Sequence, residues 1–169
     1  MKIIEGMKEI KRLEEKVADL ITRINKYCAD WDFENPTYPD QKKEVGSWVQ
    51  SVHDTLKEAA RLRLYIQKTN LATEVAVELG GQSVKKSIAE WIIRRRLYCN
   101  KEQSAWTALS DKGLAIGNFK SPTGDQKEFK IRLYYDPIER DKNIELYRGE
   151  PGIIDRTLEV VNATTDLLE

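Results

Sequence analysis

The sequence predicts a mostly α fold: a long antiparallel helical hairpin, a third long helix and a C-terminal helix, with a small two-stranded β element. Two observations carry this prediction. Apolar residues recur every seven positions in two segments near the N-terminus, which is the pattern of helices that pack along a seam. Charged residues make up 33% of the chain, above the usual quarter, as expected for long helices with water-facing sides.

Length and charge limit the class of protein. A chain of 169 residues predicts one domain, which we expect to be elongated, with the hairpin in residues 1–70 and the other elements in residues 71–169. Basic and acidic residues balance at 28 each, so no net charge attracts nucleic acid or an anionic membrane. No segment approaches the about 20 apolar residues of a membrane span. We therefore expect a soluble, cytoplasmic protein with no membrane partner.

The first heptad pattern predicts a helix over residues 3–28. Lys, Arg, Glu and Asp fill most of the positions between its apolar residues, so the helix is amphipathic. Its two seam positions are held by Ile3, Ile10, Val17 and Ile24, and by Gly6, Leu13, Leu20 and Tyr27.

The second heptad pattern predicts a helix over residues 43–69. The two helices nearly match in length, and a short connection between matched helices favours an antiparallel hairpin with facing seams. Ala59 would allow the two backbones to approach closely. The seam positions are held by Val45, Val52, Ala59 and Ile66, and by Trp48, Thr55 and Leu62.

The connection itself, residues 29–41, contains two prolines and several acids, which predict a loop. Its three aromatic residues are unusual for a mere connector. We expect them to pack back on the helix ends, and the alternative is that they form a contact surface. They are Trp31, Phe33 and Tyr38.

After Asn70 the apolar period becomes two. Alternating apolar residues over positions 75–79 predict a strand that ends at Gly80-Gly81. Ser83 has the side chain of a helix N-cap, so we expect the third long helix to run over residues 84–112 and to stop at Gly113.

The C-terminal part contains a second alternating pattern. Residues 117–127 are polar and predict a loop, and residues 129–135 predict a strand that pairs with the first one. Asp136-Pro137 suits the first residues of a helix. We expect Glu150-Pro151-Gly152 to interrupt that helix and a last helix to follow over residues 153–168.

Residues with catalytic chemistry are sparse. His53 is the only histidine and we expect a surface or packing role for it, because no histidine cluster is available to hold a metal. Cys28 and Cys99 form no Cys-x-x-Cys pair, and we expect two reduced, buried thiols. Glycine-rich phosphate loops are absent. The sequence therefore predicts no enzyme: no catalytic residues, no cofactor and no metal.

One acidic group leaves an alternative open. Asp136, Glu139 and Asp141 could bind a hard cation in a small hydrolase or metal protein. Acidic residues at a helix start are, however, expected from the helix dipole alone, and we favour that interpretation.

A basic group on the predicted third helix leaves a second alternative. Its members could bind nucleic acid along one face of that helix. We favour ion pairs with Glu residues of the hairpin, so that nucleic acid is an unexpected partner. The group comprises Lys85, Lys86, Arg94, Arg95 and Arg96.

Two stretches carry a family likeness. The first runs through residues 66–73, 81–84, 88–90 and 94–96, and the second through residues 135–137, 154–155 and 158–165. Their order resembles that of the septicolysin-like family of small helical proteins and of related small proteins from tailed phages and prophages. The resemblance implies an elongated helical bundle that self-associates, and it implies no catalytic residues.

The functional expectation follows from these observations. We expect a non-enzymatic structural or assembly protein, a component of a phage or prophage particle, that binds itself and other particle proteins; a phage-encoded chain would then be located in the virion. Several residues widen the apolar stripe beyond a two-helix seam, namely Ile21, Cys28, Trp48, Val49 and Leu56. The candidate interaction residues are Trp48, Trp91, Trp106, Arg94, Arg95 and Arg96.

Overall fold

The structure, a computed structural model, describes residues 1–114, 117–120, 122, 124 and 126–169. It is mostly α-helical with a small β element, as the sequence predicts. The elements are α1 (Ile3–Tyr27), α2 (Gln41–Ala72), β1 (Glu74–Leu79), β2 (Gln82–Ser87), α3 (Ile88–Ile93), a π-helical segment (Arg94–Tyr98), α4 (Cys99–Thr107), β3 (Gly117–Lys120), β4 (Gln126–Phe129) and α5 (Pro137–Thr164).

The chain divides into two compact units. The first unit comprises Met1–Val75, Ser87–Ala89 and Leu158–Glu169. The second comprises Ala76–Lys86 and Glu90–Thr157. The single elongated domain expected from the sequence stays a prediction.

The antiparallel hairpin of α1 and α2 is confirmed. Near the connecting loop, the rings of Tyr27 and Trp48 lie 5.8 Å apart. At the other end, a Cβ atom on Gly6 would lie 3.5 Å from Ile66 Cδ1 and only 2.9 Å from Leu167 Cδ1. Glycine at this seam position therefore lets the hairpin and the C-terminal residues close against one another. The buried residues of the seam are Ile3, Gly6, Ile10, Leu13 and Leu20 on α1, with Thr55 and Ala59 on α2.

The loop between the two helices departs from expectation in part. Tyr38 packs back, with its ring 5.4 Å from that of Tyr27. Trp31 and Phe33 do not pack back and are exposed, so the prediction for these two is wrong. A short segment with two prolines and several acids offers no apolar surface large enough to bury both rings.

The glycine turn after β1 works differently from the prediction. Gly80 and Gly81 both have positive φ, at 58° and 82°, which is the backbone of a two-residue hairpin turn. The chain therefore returns beside β1 as β2, and Ser83 lies in that strand rather than capping a helix. The third helix begins at Ile88, four residues later than expected.

The third helix is also shorter and less regular than predicted. It consists of α3, the π-helical segment and α4, and it ends at Thr107 rather than at residue 112. In the π-helical segment, the Cys99 backbone N–H donates to Arg94 O, five residues back. Gly113 has positive φ but lies beyond the helix end, so it does not stop the helix.

The second strand prediction is wrong. The chain forms β3 and β4, which pair antiparallel with Gly117 opposite Phe129 and Lys120 opposite Gln126. Residues 130–136 form no strand, and β1 pairs with β2 instead. Residues 130–135 therefore alternate between apolar and polar side chains without pairing as a strand. The loop expected over residues 117–127 is wrong for residues 117–120 and 126–127, which lie in β3 and β4, and residues 121, 123 and 125 lie outside the described residues.

The C-terminal helix begins as predicted. Asp136 Oδ1 accepts a hydrogen bond of 2.8 Å from the Ile138 N–H and so caps the helix that Pro137 opens. The predicted interruption is wrong, because α5 continues through Pro151 and ends at Thr164. Its last residues include Ile154 and Leu158, which are buried.

The two ends of the described chain meet in the first unit. Ile3 N–H donates to Thr165 O at 3.0 Å, and Leu167 N–H donates to Met1 O at 2.8 Å. The Lys2 ammonium group lies 2.6 Å from Asp166 Oδ2, and this hydrogen bond lowers the pKa of Asp166. Within the described residues, no helix carries an apolar stretch that is long enough to cross a bilayer.

Candidate interaction face

One side of the hairpin is defined by an ion pair between its helices. Glu14 on α1 and Arg63 on α2 contact each other, and each lies four residues after a first seam position of its heptad. The helices are antiparallel, so a step of seven residues moves forward on α1 and backward on α2. Beyond this ion pair, Ile21 therefore lies opposite Leu56.

The same step continues this row toward the loop. One heptad beyond Ile21 and Leu56, the same spacing leads to Cys28, directly after the end of α1, and to Val49 on α2. All four side chains are exposed, with 54% of the surface of Ile21 and 47% of that of Leu56 accessible to water. Four exposed non-polar side chains thus follow one row outside the seam, where exposed helices usually carry charge.

The next row outward is also uncharged. Between the Glu14–Arg63 ion pair and the loop, its five positions each lie one residue beyond a first seam position, and all five are exposed; farther from the loop the same row carries Lys11. Three of the five residues are glycine or alanine, which let another helix approach closely. Together with the first row they form what we call the uncharged face. It comprises Ala18, Ile21 and Asn25 on α1, Cys28 directly after the end of α1, and Gly46, Val49, His53, Leu56 and Ala60 on α2.

The opposite side of the same hairpin is charged. On α1, the outward positions on this side lie two and six residues after a first seam position, and every residue at them carries a charge. Two of these residues, Glu9 and Arg12, pair with each other. The Arg12 hydrogen bond lowers the pKa of Glu9. The contrast makes the uncharged face a property of one side rather than of the whole hairpin. The charged residues on α1 are Glu5, Glu9, Arg12, Lys16, Asp19, Arg23 and Lys26.

A polar cluster lies in the second unit. Arg94 Nη2 donates to Glu150 Oε2 at 2.9 Å and lies 3.1 Å from Glu102 Oε2. The Glu150 side chain is buried, and its hydrogen bonds raise the pKa of Arg94. Burial, together with the charge of Glu150, raises the pKa of the Cys99 thiol to about 11. The cluster thus holds a paired carboxylate and a neutral thiol. These groups suit a role in stabilising the fold.

The basic group of the sequence prediction is divided between elements. Lys85 and Lys86 lie on β2, and the Lys86 ammonium is 5.9 Å from the centre of the Trp91 ring. Arg95 pairs with Asp155 of α5, and Arg96 is exposed. The structure corrects the expected partners, because the acids that bind Arg94 and Arg95 lie on α4 and α5 and not on the hairpin.

The three tryptophans proposed as interaction residues are only partly accessible. Trp91 is fully buried in the second unit, so it belongs to a core rather than to a surface. Trp48 and Trp106 are half-buried, and Trp48 packs on Tyr27 and Tyr38.

The remaining candidate residues have simple environments. His53 is exposed, as expected for a surface role. Cys99 is buried but Cys28 is exposed, so only one of the two thiols is buried as predicted. Asp136 caps α5, and Asp141 pairs with Arg140. Among the described residues, no group of three His, Cys, Asp or Glu side chains is placed to hold a metal ion.

The small and neutral members of the uncharged face were missed from the sequence. Ala18, Asn25, Gly46, His53 and Ala60 attract no attention as individual residues. The signal that could have found them is the absence of charge at two heptad positions of both helices between the Glu14–Arg63 ion pair and the loop, where many of the other outward positions are Lys, Arg, Glu or Asp.

Comparison with known proteins identifies a shared fold. A solved structure, described as a functionally unknown conserved protein from Corynebacterium diphtheriae, matches with a TM-score of 0.58 over 99% of both chains. The two sequences are 16% identical, so the likeness concerns the fold alone. No protein-family model and no curated protein match the chain.

Proposed function

We propose that this protein is a non-enzymatic structural or assembly protein that self-associates through the uncharged face of its hairpin. The observation that carries the proposal is the difference between the two sides of the hairpin. Between the Glu14–Arg63 ion pair and the loop, nine exposed positions on one side carry no formal charge, whereas the α1 residues on the other side of this part are all charged, namely Lys16, Asp19, Arg23 and Lys26. Exposed apolar side chains grouped in this way mark contact surfaces in soluble proteins.

A second copy of the chain suits this face. Symmetric dimers bring the same surface patch against itself, so a patch of one charge sign would repel its copy. The uncharged face has no such repulsion. Ile21 and Leu56 supply bulky ridges, and Gly46, Ala18 and Ala60 supply shallow places beside them. Two hairpins that pack in this way would form a four-helix bundle.

The size of the face sets the expected affinity. Stable interfaces involve about 20–30 residues from each partner, more than the nine residues of the uncharged face. We therefore expect association at micromolar rather than nanomolar concentrations, strengthened where many copies are held together. Incorporation into a larger particle, such as that of a tailed phage, would supply this condition and agrees with the resemblance noted in the sequence.

The test is a charge placed in the face. Leu56→Lys puts an ammonium group into the apolar row at an exposed position, so the fold should survive while self-association is lost. Ser47→Lys is the matched control, because it adds the same charge to the same helix at an exposed heptad position outside the uncharged face, where Asp54 and Arg61 follow. Light scattering at about 50–100 µM should give a mass near twice 19.6 kDa for the parent chain and Ser47→Lys, and near 19.6 kDa for Leu56→Lys.

Two results would contradict the proposal. One is a parent chain that remains at the monomer mass across this concentration range. The other is a Leu56→Lys variant that keeps the mass of the parent, since the association would then use another surface. Circular dichroism of each variant shows whether the helical fold is retained.

A further inference from the structure

A second surface lies in the loop that joins α1 and α2. Its segment Asp30–Glu34, which we call the tip, alternates acidic and aromatic residues. The two aromatic rings of the tip stack on each other, with centroids 6.1 Å apart and planes inclined by 11°. They are among the most exposed large side chains, at 68% for Trp31 and 79% for Phe33.

The base of the loop is ordered by Gln41, the first residue of α2. Its Oε1 accepts hydrogen bonds from the backbone N–H groups of Thr37 at 2.9 Å and Tyr38 at 3.4 Å. Its Nε2 donates to Tyr27 O at 3.1 Å and to Asp30 Oδ2 at 3.3 Å. One side chain therefore ties the end of α1, the start of the tip and the end of the loop together.

Aromatic packing below the tip completes this support. The ring of Tyr38 lies 5.4 Å from that of Tyr27 and 5.5 Å from that of Trp48, each in an edge-to-face arrangement. The loop thus has an inner aromatic cluster, which packs against the hairpin, and an outer aromatic pair, which does not. The outer pair is presented by a supported loop, so the entropy lost when a partner orders it is reduced.

The charge of the tip is of one sign. Asp30, Asp32 and Glu34 carry three negative charges, and residues 28–41 include no Lys or Arg. In the part of the chain that the structure describes, no basic side chain forms an ion pair with Asp32 or Glu34. Exposed carboxylates beside exposed ring faces match a cation, because a guanidinium stacks on aromatic rings and donates two parallel hydrogen bonds to a carboxylate.

We propose that the tip is a docking site for an arginine-bearing surface of a partner protein. Trp31 and Phe33 offer ring faces to the guanidinium groups, and Asp32 and Glu34 accept their hydrogen bonds. Nucleic acid and anionic lipid surfaces do not suit the tip, because their negative charges repel its carboxylates. The tip lies outside the uncharged face, so a partner can dock while the hairpin self-associates.

A synthetic peptide of alternating Arg and Gly is the probe. Binding to the full chain is measured by titration calorimetry at low salt, with peptides of alternating Lys and Gly and of alternating Glu and Gly for comparison. We expect the Arg peptide to bind more tightly than the Lys peptide, the Glu peptide not to bind, and the affinity to fall as salt is added. No heat of binding with the Arg peptide at low salt would overturn the proposal.

Substitutions then locate the site. Trp31→Ala should weaken binding of the Arg peptide between about twofold and thirtyfold, the range of a lost cation–π contact. Tyr134→Ala is the matched control, since it removes another highly exposed ring and should leave the affinity unchanged. Equal losses in the two variants would overturn the proposal.

Two further measurements separate this site from other roles. A neutral oligosaccharide tested on the same chain should not bind, and Trp31-dependent binding of the sugar with no binding of the Arg peptide would assign the tip to carbohydrate instead. The mass of Trp31→Ala in light scattering should equal that of the parent chain. Loss of self-association in this variant would contradict the separation of the two surfaces.

Discussion

The two units of the chain bury their interiors in different ways. In the first unit, α1 and α2 meet along a seam of regularly spaced, mostly apolar side chains, and charges stay outside it. The second unit buries the apolar side chains of Trp91, Cys99 and Ile154. It also buries the carboxylate of Glu150, which Arg94 binds. A seam is stabilised by many small, similar contacts, so each residue contributes only a part of the stability. A buried ion pair stabilises the fold only while both charges are present, because a single buried charge is costly.

Removing one member of the ion pair tests this difference most strongly. Glu150→Gln keeps the size of the side chain but leaves Arg94 without its buried counter-charge. We expect a loss of about 3–5 kcal/mol in the free energy of unfolding, measured by urea denaturation.

A double variant separates the charge from the space it fills. Arg94→Met combined with Glu150→Leu replaces both charges by apolar groups, so it should be more stable than Glu150→Gln. If the loss of stability in the double variant equals the sum of the losses in the two single variants, the two side chains contribute independently. That result would contradict the view that each charge of the pair depends on the other.

The next largest effect is expected in the seam. Leu13→Ala removes buried methyl groups from α1 and should cost about 2–5 kcal/mol. Ile21→Ala on the same helix changes an exposed side chain and should alter stability by no more than about 0.5 kcal/mol in dilute, monomeric samples. Thermal unfolding of the two variants decides the matter, and similar costs would mean that the seam is not the interior of the hairpin.

The two thiols give a smaller, kinetic comparison. At pH 8, a thiol with a pKa of about 11 is ionised in about one molecule in a thousand, and only the thiolate reacts quickly. Iodoacetamide should therefore modify exposed Cys28 and spare Cys99 in the native protein, and it should modify both in urea. Mass spectrometry counts the modified groups, and two in the native protein would show that the second unit opens readily.

The sequence predicted the hairpin well and the second unit poorly, for a physical reason. A seven-residue period repeats over both long helices, so each seam residue supports the assignment of the others. Gln82–Ser87 has no comparable alternation, and its lysines suit a helix as well as a strand. Its pairing with β1 is set by the turn at Gly80 and Gly81. The spacing of apolar residues along the sequence gives no sign of this pairing.

The break expected at Pro151 illustrates a second limit. Proline removes one helical hydrogen bond, which is a local cost that the sequence shows. Glu150, the residue before the proline, binds Arg94, which is distant in sequence, and no local pattern reveals this contact. The candidate surfaces show the same division: apolar Ile21 and Leu56 were visible as excess apolar residues, whereas the exposure of Trp31 depended on how the loop folds.

The pairing of the chain ends has a consequence for the order of folding. The connection between α1 and α2 spans residues 28–40, but bringing Lys2 beside Asp166 closes a segment more than ten times longer. Loop closure grows costlier with the logarithm of length, which amounts here to about 2 kcal/mol of additional chain entropy. The hairpin can thus form early from nearby residues, and the joining of the ends becomes a late step that waits for the rest of the chain.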